Sequence, residues 1–230
     1  MDLEFCKKIK IFLFLVFFIA ITINSNSQNK VTTFADTSRG VLMLVNKSYN
    51  LPIDYVPVEL IAITETYGDS NKMMHKEAYD AFRKMHDDAK TDGVNIWITS
   101  AYRDFKYQNW LYNKSIEENG VVITDKTVAQ PGFSEHQTGL AIDIVSARGK
   151  KLSKEFEKTK QFEWLSTHGH DYGYILRYPN GKESITGYEY EPWHFRYVGI
   201  ETAQKIEKLN ITLDEYYEQF VNIEVAPDTN

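Results

Sequence analysis

The sequence predicts an α+β domain in which a small antiparallel sheet is flanked by helices. Segments with helical periodicity and segments with strand alternation are mixed along the chain. Pro-Asn-Gly-Lys at 179–182 is a hairpin turn signal, and a hairpin joins antiparallel strands. The length of 230 residues, with 43% apolar and 25% charged residues, suits one domain with a full core.

The N-terminal segment 1–27 is predicted to be a secretory signal peptide. Three lysines precede an apolar run at 11–23, and a polar stretch with two serines leads to a cut before Gln28. The run is shorter than the roughly 18 to 20 apolar residues that a membrane-spanning helix needs. An uncleaved N-terminal anchor is the alternative, and only then does the membrane become a partner. Both interpretations place the folded part outside the cytoplasmic membrane.

The rest of the chain is predicted to form a lead-in at 28–43, a folded domain at 44–220 and a tail at 221–230. The lead-in is polar and is expected to be loose. Two prolines within 46–57 predict an extended surface segment at the start of the domain.

The first helix is predicted at 71–92. Its apolar residues recur at spacings of four, three and four, and Gly93 stands where a C-terminal cap would lie. These apolar residues are Ala78, Phe82, Met85 and Ala89. The alternating, branched segment 94–99 predicts a strand, and a second helix is predicted at 105–119.

The middle of the chain is predicted to hold most of the sheet. A loop with a Gln-Pro-Gly sequence is predicted at 121–133, and a helix at 154–167. Three further strands are predicted, the last two joined by the hairpin turn, at 140–145, 172–178 and 189–197.

Two short helices are predicted to end the domain, at roughly 200–209 and 213–220. Thr212 and Glu215 have the spacing of a capping box at the start of the last helix.

Charge and cysteine content argue against two classes of function. The net charge is −6, and nucleic-acid binding depends largely on cationic contacts to phosphate, so no nucleic-acid partner is expected. Cys6 is the single cysteine and lies in the leader. A cleaved chain therefore has neither a disulfide nor a thiol nucleophile.

Two histidines and two acids have the composition of a hydrolytic zinc site. His136 and Asp143 lie in SEHQTGLAID, and His194 ends EPWH, with Glu191 three residues earlier. Such a site needs three protein ligands, an open position for water and a base beside that water. His136, Asp143 and His194 can supply the ligands. Glu191 can take the water proton and pass it to the leaving amine.

Local backbone features are expected to bring these residues together. Gly139 tolerates the turn that the chain needs between the first two ligands. Regular strand alternation would place Glu191 and His194 on opposite faces, but Pro192 is unsuited to a central strand and predicts a bulge or kink. The residues alone leave two alternatives open: each histidine is a hydrogen-bonded structural residue, or a bound metal is purely structural.

Four motifs in order carry a resemblance to a known family: SAYRDFKYQ, PGFSEHQTGLAID, WLSTHGHDYGYILRYP and EPWHFRYVG. From about Leu44 to about Leu209 the chain resembles the zinc D-alanyl-D-alanine carboxypeptidases of the VanY type. These belong to the LAS metallopeptidases, which cut D-amino-acid bonds in bacterial peptidoglycan. The resemblance implies their fold, a small α+β domain built on an antiparallel sheet.

The resemblance also implies roles for individual residues. It implies one Zn²⁺ ion with three protein ligands, which are His136, Asp143 and His194. It implies that Glu191 is the catalytic base and that Arg103 binds the terminal carboxylate of the substrate. A guanidinium suits this task because it binds a carboxylate through two parallel hydrogen bonds. Two further residues are implied to hold the same carboxylate: Gln108 and Ser134. Because Arg103 directly follows a predicted strand and can be held rigidly, it is also expected to help stabilise the oxyanion.

The expected activity is removal of the C-terminal D-alanine from peptidoglycan stem peptides, with zinc-bound water attacking the scissile carbonyl. Both D,D- and L,D-carboxypeptidase action remain open. The alternatives are a catalytically weak peptidoglycan-binding module, or a D,D-dipeptidase or endopeptidase of the same group. The stem peptide is the expected partner, a monomer is the expected state, and the periplasm or cell envelope is the expected location.

Overall fold

The computed structural model describes residues 32–222. The predicted signal peptide at 1–27 and all but the first two residues of the predicted tail lie outside the described residues. In chain order the strands and α-helices are β1 Thr33–Phe34, β2 Tyr49–Asn50, β3 Leu60–Ala62, β4 Met73–His75, α1 Lys76–Thr91, β5 Trp97–Ser100, α2 Phe105–Asn119, α3 Val121–Thr127, β6 Ala141–Val145, α4 Lys160–His168, β7 Tyr174–Leu176, α5 Glu183–Thr186, β8 His194–Tyr197, α6 Ile200–Leu209 and α7 Leu213–Tyr216. Short 3-10 helices lie at Thr37–Leu42, Glu135–Thr138, Lys154–Lys158 and Gly169–Tyr172, and a π-helical turn lies at Tyr217–Val221.

The predicted α+β architecture with a small antiparallel sheet is confirmed. The main sheet has the strand order β5-β6-β8-β7, and each neighbouring pair is antiparallel. The two central strands, β6 and β8, are buried along their whole length. Two small sheets pair β1 with β2 and β3 with β4. None of the helices within residues 32–222 is long and apolar enough to span a membrane.

Helix α1 packs on the sheet with the face that its periodicity predicts. Its apolar positions Ala78, Phe82, Met85 and Ala89 are all buried. They join the main core together with Ile142 and Ile144 of β6. A second cluster joins side chains of α6 and α7 to Leu44 and Ile175.

The first helix begins later than the predicted position 71. Residues Met73–His75 form β4, which pairs antiparallel with β3, and α1 starts at Lys76. Met74 is fully buried in this short sheet. Strand pairing and burial therefore outweigh the helical pattern, as tertiary context often does.

The loop predicted at 121–133 is wrong in its first half, because Val121–Thr127 forms α3. Gly120 adopts a φ of 79° and lets the chain turn from α2 straight into the next helix. Thr124 is buried, and its hydroxyl lies 2.9 Å from that of Ser115 on α2. Packing against α2 overrides the low helix propensity of the branched residues in this segment.

The predicted hairpin is correct in its pairing but wrong in its length. The turn is present, since Lys182 N donates to Pro179 O at 3.3 Å, and β7 pairs antiparallel with β8. However, β8 begins only at His194, and α5 lies between the turn and this strand. Residues 191–194 form a second turn, in which His194 N donates to Glu191 O at 3.2 Å, and the proline between them has no N–H for a ladder.

The helix predicted at 154–167 is interrupted. Thr159 is extended between the 3-10 helix and α4, and its side chain accepts from Phe162 N to cap α4. The predicted lead-in contains regular structure where it is described, namely β1 and the 3-10 helix Thr37–Leu42.

The capping box predicted before the last helix is confirmed. Glu215 N donates to Thr212 Oγ1 at 3.1 Å, and Thr212 N donates to Glu215 Oε2 at 2.8 Å. The α-helix that follows ends at Tyr216, and the chain continues as the π-helical turn up to Val221.

Candidate metal centre

His136 reaches the site from a 3-10 helix that Ser134 and Gly139 delimit. Ser134 caps this helix by accepting from His136 N at 3.4 Å. Gly139 follows with a φ of 71°, in the left-handed region, and a Cβ there would lie 3.0 Å from both His75 N and Leu60 Cδ2. The chain therefore turns at a position where only glycine fits without strain or displacement of its neighbours.

Asp143 and His194 reach the site from the two central strands. They are cross-strand partners in the register of β6 and β8, and Asp143 also lies opposite Ser100 of β5, next to an irregularity in that pairing. Both side chains are buried. The strand ladder thus fixes two of the three predicted ligands relative to each other.

The three side chains converge on one point. His136 Nε2 lies 3.4 Å from Asp143 Oδ2, and His194 Nδ1 lies 3.4 Å from Asp143 Oδ1. One ligand atom from each residue can be chosen so that all three lie within 4.8 Å of one another. The two imidazole rings are 4.9 Å apart and nearly perpendicular. This group could hold one divalent metal ion.

Two buried polar atoms of the group lack hydrogen bonds within the described chain, which fits a site for a metal ion. Among residues 32–222, His136 Nε2 and Asp143 Oδ1 are buried and have no hydrogen-bond partner. Buried polar atoms are normally satisfied, so atoms left without a partner indicate a missing ligand. The other ring nitrogen of His136, Nδ1, lies 2.7 Å from Ala101 O, which fixes the ring with Nε2 towards Asp143. Two imidazoles and one carboxylate are a donor set that zinc prefers.

The electrostatics of the two histidines differ. Burial, and next the positive charge of Arg103, lower the pKa of His136 to about 4, so this ring is neutral, as a metal ligand must be. Burial disfavours charge on His194 too, but the nearby carboxylates of Asp143 and Glu135, together with the other negative charge around the ring, raise its pKa to about 9. The surroundings of His194 therefore favour a positive charge at this point, which is the property of a cation site.

Glu191 lies beside the metal-binding group, because the chain is irregular in EPWH as the proline predicts. The turn at 191–194 places Glu191 Oε2 3.5 Å from His194 Nδ1. The backbone of Glu191 is anchored through its N–H, which donates to Tyr178 O at 3.1 Å. Burial raises the pKa of Glu191 to about 7, which is the range expected for a general base.

A cleft of about 600 Å³ opens onto the group. Its lining includes Asp143, Glu191 and His194 together with Arg103 and Gln108. Of the predicted site residues that the structure describes, Ser134 and His136 are not part of this lining. Ser134 is buried, and its oxygen is engaged in capping the helix that carries His136.

Arg103 and Gln108 stand on the wall of this cleft at the junction of β5 and α2. Arg103 N donates to His136 O at 3.1 Å, which ties the arginine to the ligand loop, and Arg103 Nε has no hydrogen-bond partner within the described chain. Gln108 is buried, and its Nε2 donates to Ala129 O at 2.7 Å. One N–H of this amide is therefore in use and one remains.

Sequence reasoning missed a buried ionic network behind the metal group. Glu135, the residue before His136, is fully buried and pairs with Arg177 and Arg196, whose side chains are also fully buried. Glu135 Oε2 lies 3.5 Å from Nε2 of His194. The only signal in the sequence is the position of this acid inside the SEH motif, since burial of charge depends on tertiary packing.

The family comparison agrees with this geometry. The chain matches the family model described as VanY, D-alanyl-D-alanine carboxypeptidase, over residues 71–200. A protein from Bacillus subtilis (strain 168) named putative carboxypeptidase YodJ is 40% identical over 188 residues, which cover 80% of this chain and 69% of that protein.

Solved structures extend the likeness to the fold and the cofactor. The structure of the LdcB LD-carboxypeptidase is 39% identical, with a TM-score of 0.76 over 82% of this chain and 90% of that chain. A variant of the D,D-pentapeptidase VanY from a VanB-type resistance cassette, in complex with Zn(II), is 32% identical, with a TM-score of 0.66 over 76% of this chain and 98% of that chain. The predicted fold group and the predicted zinc cofactor are confirmed. The chain belongs to the VanY family of D-alanyl-D-alanine carboxypeptidases, which are zinc metallopeptidases.

Proposed function

We propose that this chain is an exported zinc carboxypeptidase that removes the C-terminal D-alanine from peptidoglycan stem peptides. One observation carries the proposal: a buried metal-binding group, a carboxylate base and a guanidinium meet in a single cleft. Membership of the VanY family supports the choice of substrate class. The carboxylate base favours hydrolysis over a role in binding alone.

His136, Asp143 and His194 would hold a single zinc ion. Their convergence and the buried atoms without hydrogen-bond partners in the described chain support this assignment. When bound, zinc supplies Lewis-acid chemistry, which polarises a carbonyl group and lowers the pKa of water. Asp143 and His194 line the cleft, so the group is accessible to a substrate from that side.

Glu191 would act as the general base and then as the general acid. Its carboxylate lies at the boundary between the metal group and the cleft, 3.5 Å from His194 Nδ1. A water molecule that enters beside the group is within reach of this carboxylate, which takes its proton. As the water oxygen bonds to the scissile carbonyl carbon and the C–N bond breaks, the same carboxyl group returns the proton to the nitrogen of the departing D-alanine.

Arg103 would recognise the free carboxylate at the end of the substrate. Its Nε has no hydrogen-bond partner within the described chain, and the side chain lines the cleft. Gln108 lines the same cleft, and one N–H of its amide is left over after the bond to Ala129 O. The hydroxyl proton of Ser134 stays available because its oxygen only accepts in the helix cap. Recognition of a free carboxylate makes the enzyme an exopeptidase.

The residue that precedes the released D-alanine has either D or L configuration in this proposal, so the activity is D,D- or L,D-carboxypeptidase action. The structural neighbours include a D,D-pentapeptidase, which matches 76% of this chain, and an LD-carboxypeptidase, which matches 82% of it. We also propose that segment 1–27 is cleaved on export and that the enzyme acts in the periplasm or cell envelope, where peptidoglycan lies. N-terminal sequencing of the exported protein tests the cleavage before Gln28.

A digest of defined stem peptides tests the function. The purified protein is assayed for zinc content and then incubated with one stem pentapeptide and one stem tetrapeptide, and the products are weighed by mass spectrometry. The expected result is about one zinc per chain and loss of one alanine residue from at least one of the two peptides. Intact peptides after incubation with zinc-loaded protein would contradict hydrolysis and leave a binding module.

A further inference from the structure

Glu135 lies on the far side of His194 from the cleft. Its side chain is fully buried, and one carboxylate oxygen, Oε1, accepts from Arg177 Nε at 2.7 Å and from Arg196 Nη1 at 2.9 Å. The other oxygen, Oε2, lies 3.5 Å from His194 Nε2. The carboxylate therefore stands between two guanidinium groups and the ring of a candidate zinc ligand.

The two facing atoms, Glu135 Oε2 and His194 Nε2, can each form a hydrogen bond with the other. Within residues 32–222, neither Glu135 Oε2 nor His194 Nε2 has another hydrogen-bond partner, and both are buried. The opposite nitrogen of the ring, Nδ1, faces Asp143 Oδ1 at 3.4 Å and Glu191 Oε2 at 3.5 Å. A closer approach of a few tenths of an ångström turns the Glu135–His194 contact into a hydrogen bond, with Nε2–H as the donor.

The two histidines of the group are held in opposite ways. His136 turns Nε2 to the group, while its Nδ1 lies 2.7 Å from the carbonyl oxygen of Ala101. His194 points Nδ1 towards Asp143, and its Nε2 faces the carboxylate of Glu135. The structure thus pairs one ring with a neutral acceptor and the other ring with a charged acceptor, which makes the second ring the more basic ligand.

Glu135 is held in place from both sides. Arg177 also donates through Nη1 to Asp214 Oδ2 at 2.6 Å. Arg196 also donates through Nη2 to the carbonyl oxygens of Val41 and Met43, at 2.9 Å and 2.8 Å. Each guanidinium is therefore anchored independently of Glu135, so the carboxylate has one preferred position.

We propose that Glu135 is a positioning residue for the metal centre. It accepts the Nε2 proton of His194, fixes the ring tautomer with Nδ1 towards the metal, and is itself oriented by Arg177 and Arg196. This inference rests on the proposed function, because it takes His194 to be a zinc ligand. It gives the two buried arginines a role in metal binding without contact with metal or substrate.

The first test uses the unaltered chain. Protein with ¹⁵N-labelled histidine rings is titrated with zinc, and the ring nitrogens are observed by NMR. Two rings are expected to change on zinc binding, one coordinated through Nε2 and the other through Nδ1, and the second carries a slowly exchanging Nε2 proton. Coordination of both rings through the same nitrogen overturns the proposal. A spectrum in which zinc shifts no ring overturns the proposed function and this inference with it.

The second test compares two variants that each replace a buried acid of the network by its amide. Glu135→Gln removes the charge that faces His194. Asp214→Asn removes the charge of the other acid paired with Arg177 but keeps a side-chain oxygen that can accept from Arg177 Nη1, and none of the contacts described for Asp214 involves His194. Zinc affinity is measured by competition with a chelator, and the visible spectrum of the cobalt-substituted protein reports the ligand geometry. Glu135→Gln is expected to bind zinc about 10- to 100-fold more weakly and to alter the cobalt spectrum, while Asp214→Asn leaves both within about twofold of wild type.

Two outcomes of the variant test overturn the proposal while leaving the proposed function intact. One is wild-type zinc affinity in Glu135→Gln, and the other is an equal loss of affinity in both variants, which would indicate a general loss of stability. If Glu135→Gln does not fold, the ring-nitrogen measurement decides the matter, since it needs no substitution.

Discussion

Asp143 and His194 lie directly opposite each other on two buried antiparallel strands, with 3.4 Å between Asp143 Oδ1 and His194 Nδ1. Cross-strand neighbours are held by the backbone ladder, so this part of the metal group does not depend on loop conformation. His136 joins them from the short 3-10 helix that leads into β6. A site built on central strands is rigid, which is what transition-state stabilisation by a metal and a base requires.

Replacing Glu191 by glutamine should abolish most of the turnover without removing the metal. The amide cannot accept the water proton, so we expect kcat to fall by about 10²- to 10⁴-fold, while zinc content stays at the wild-type level. Release of D-alanine and metal analysis of the same sample check this. Glu155→Gln is the matched control, because Glu155 is an exposed residue that pairs with Lys158, and it should keep wild-type kcat. A Glu191→Gln protein as active as this control would show that another group is the base.

Replacing Arg103 by lysine should weaken recognition of the terminal carboxylate. A lysine keeps the charge but loses the two parallel hydrogen bonds, so we expect kcat/KM to fall by roughly 10- to 100-fold. The control substitution is Arg148→Lys, since Arg148 lies over the ring of Trp97, and it should have no effect. A substrate with a C-terminal amide gives the sharper measurement. Wild type should discriminate against the amide far more strongly than the Arg103→Lys variant, and equal discrimination would refute the assignment.

Removal of zinc should abolish activity and lower thermal stability, and both should return on adding zinc. At a free zinc concentration of about 100 to 1,000 times the Kd, zinc binding stabilises the native state by about 2.7 to 4.1 kcal/mol. The removal also leaves the carboxylate of Asp143 buried beside two imidazoles. Scanning calorimetry with and without a chelator, combined with the stem-peptide assay, measures the two effects. Full activity after exhaustive chelation is the result that this account does not allow.

Replacing Gly139 by alanine should destabilise the fold and disturb the metal group. Its φ of 71° disfavours any other residue, and the new Cβ would lie 3.0 Å from His75 N. Strain and overpacking together should cost about 2 to 4 kcal/mol of unfolding free energy. Gly149→Ala is the control, since Gly149 has a φ of 76° but no atom within 4 Å of its added Cβ, and it should cost only about 1 to 2 kcal/mol. Equal unfolding free energies for the two variants in urea titrations would contradict the steric argument.

Local signals in the sequence account for much of this fold. The buried face of α1 follows from the spacing of its apolar residues, and the cap at Thr212 follows from its spacing to Glu215. The turn at Gly139 and the irregularity after Glu191 follow from what glycine and proline do to a backbone. These predictions succeed because each depends on residues close together in the chain.

The features that sequence reasoning missed depend on distant contacts. The strand at Met73–His75 exists because Leu60–Ala62 lies beside it, and α3 exists because α2 offers a surface for Thr124. Glu135 is the clearest case, since it pairs with Arg177, which directly follows β7, and with Arg196, which lies on β8. Only the folded chain shows that this acid faces the back of a histidine.

The most direct test of the central claim is a crystal structure of the zinc-loaded protein with anomalous diffraction recorded at the zinc edge. The account predicts a single strong peak at about 2.0 to 2.2 Å from His136 Nε2, His194 Nδ1 and a carboxylate oxygen of Asp143. A zinc peak elsewhere, or no peak within reach of these three side chains, would contradict it.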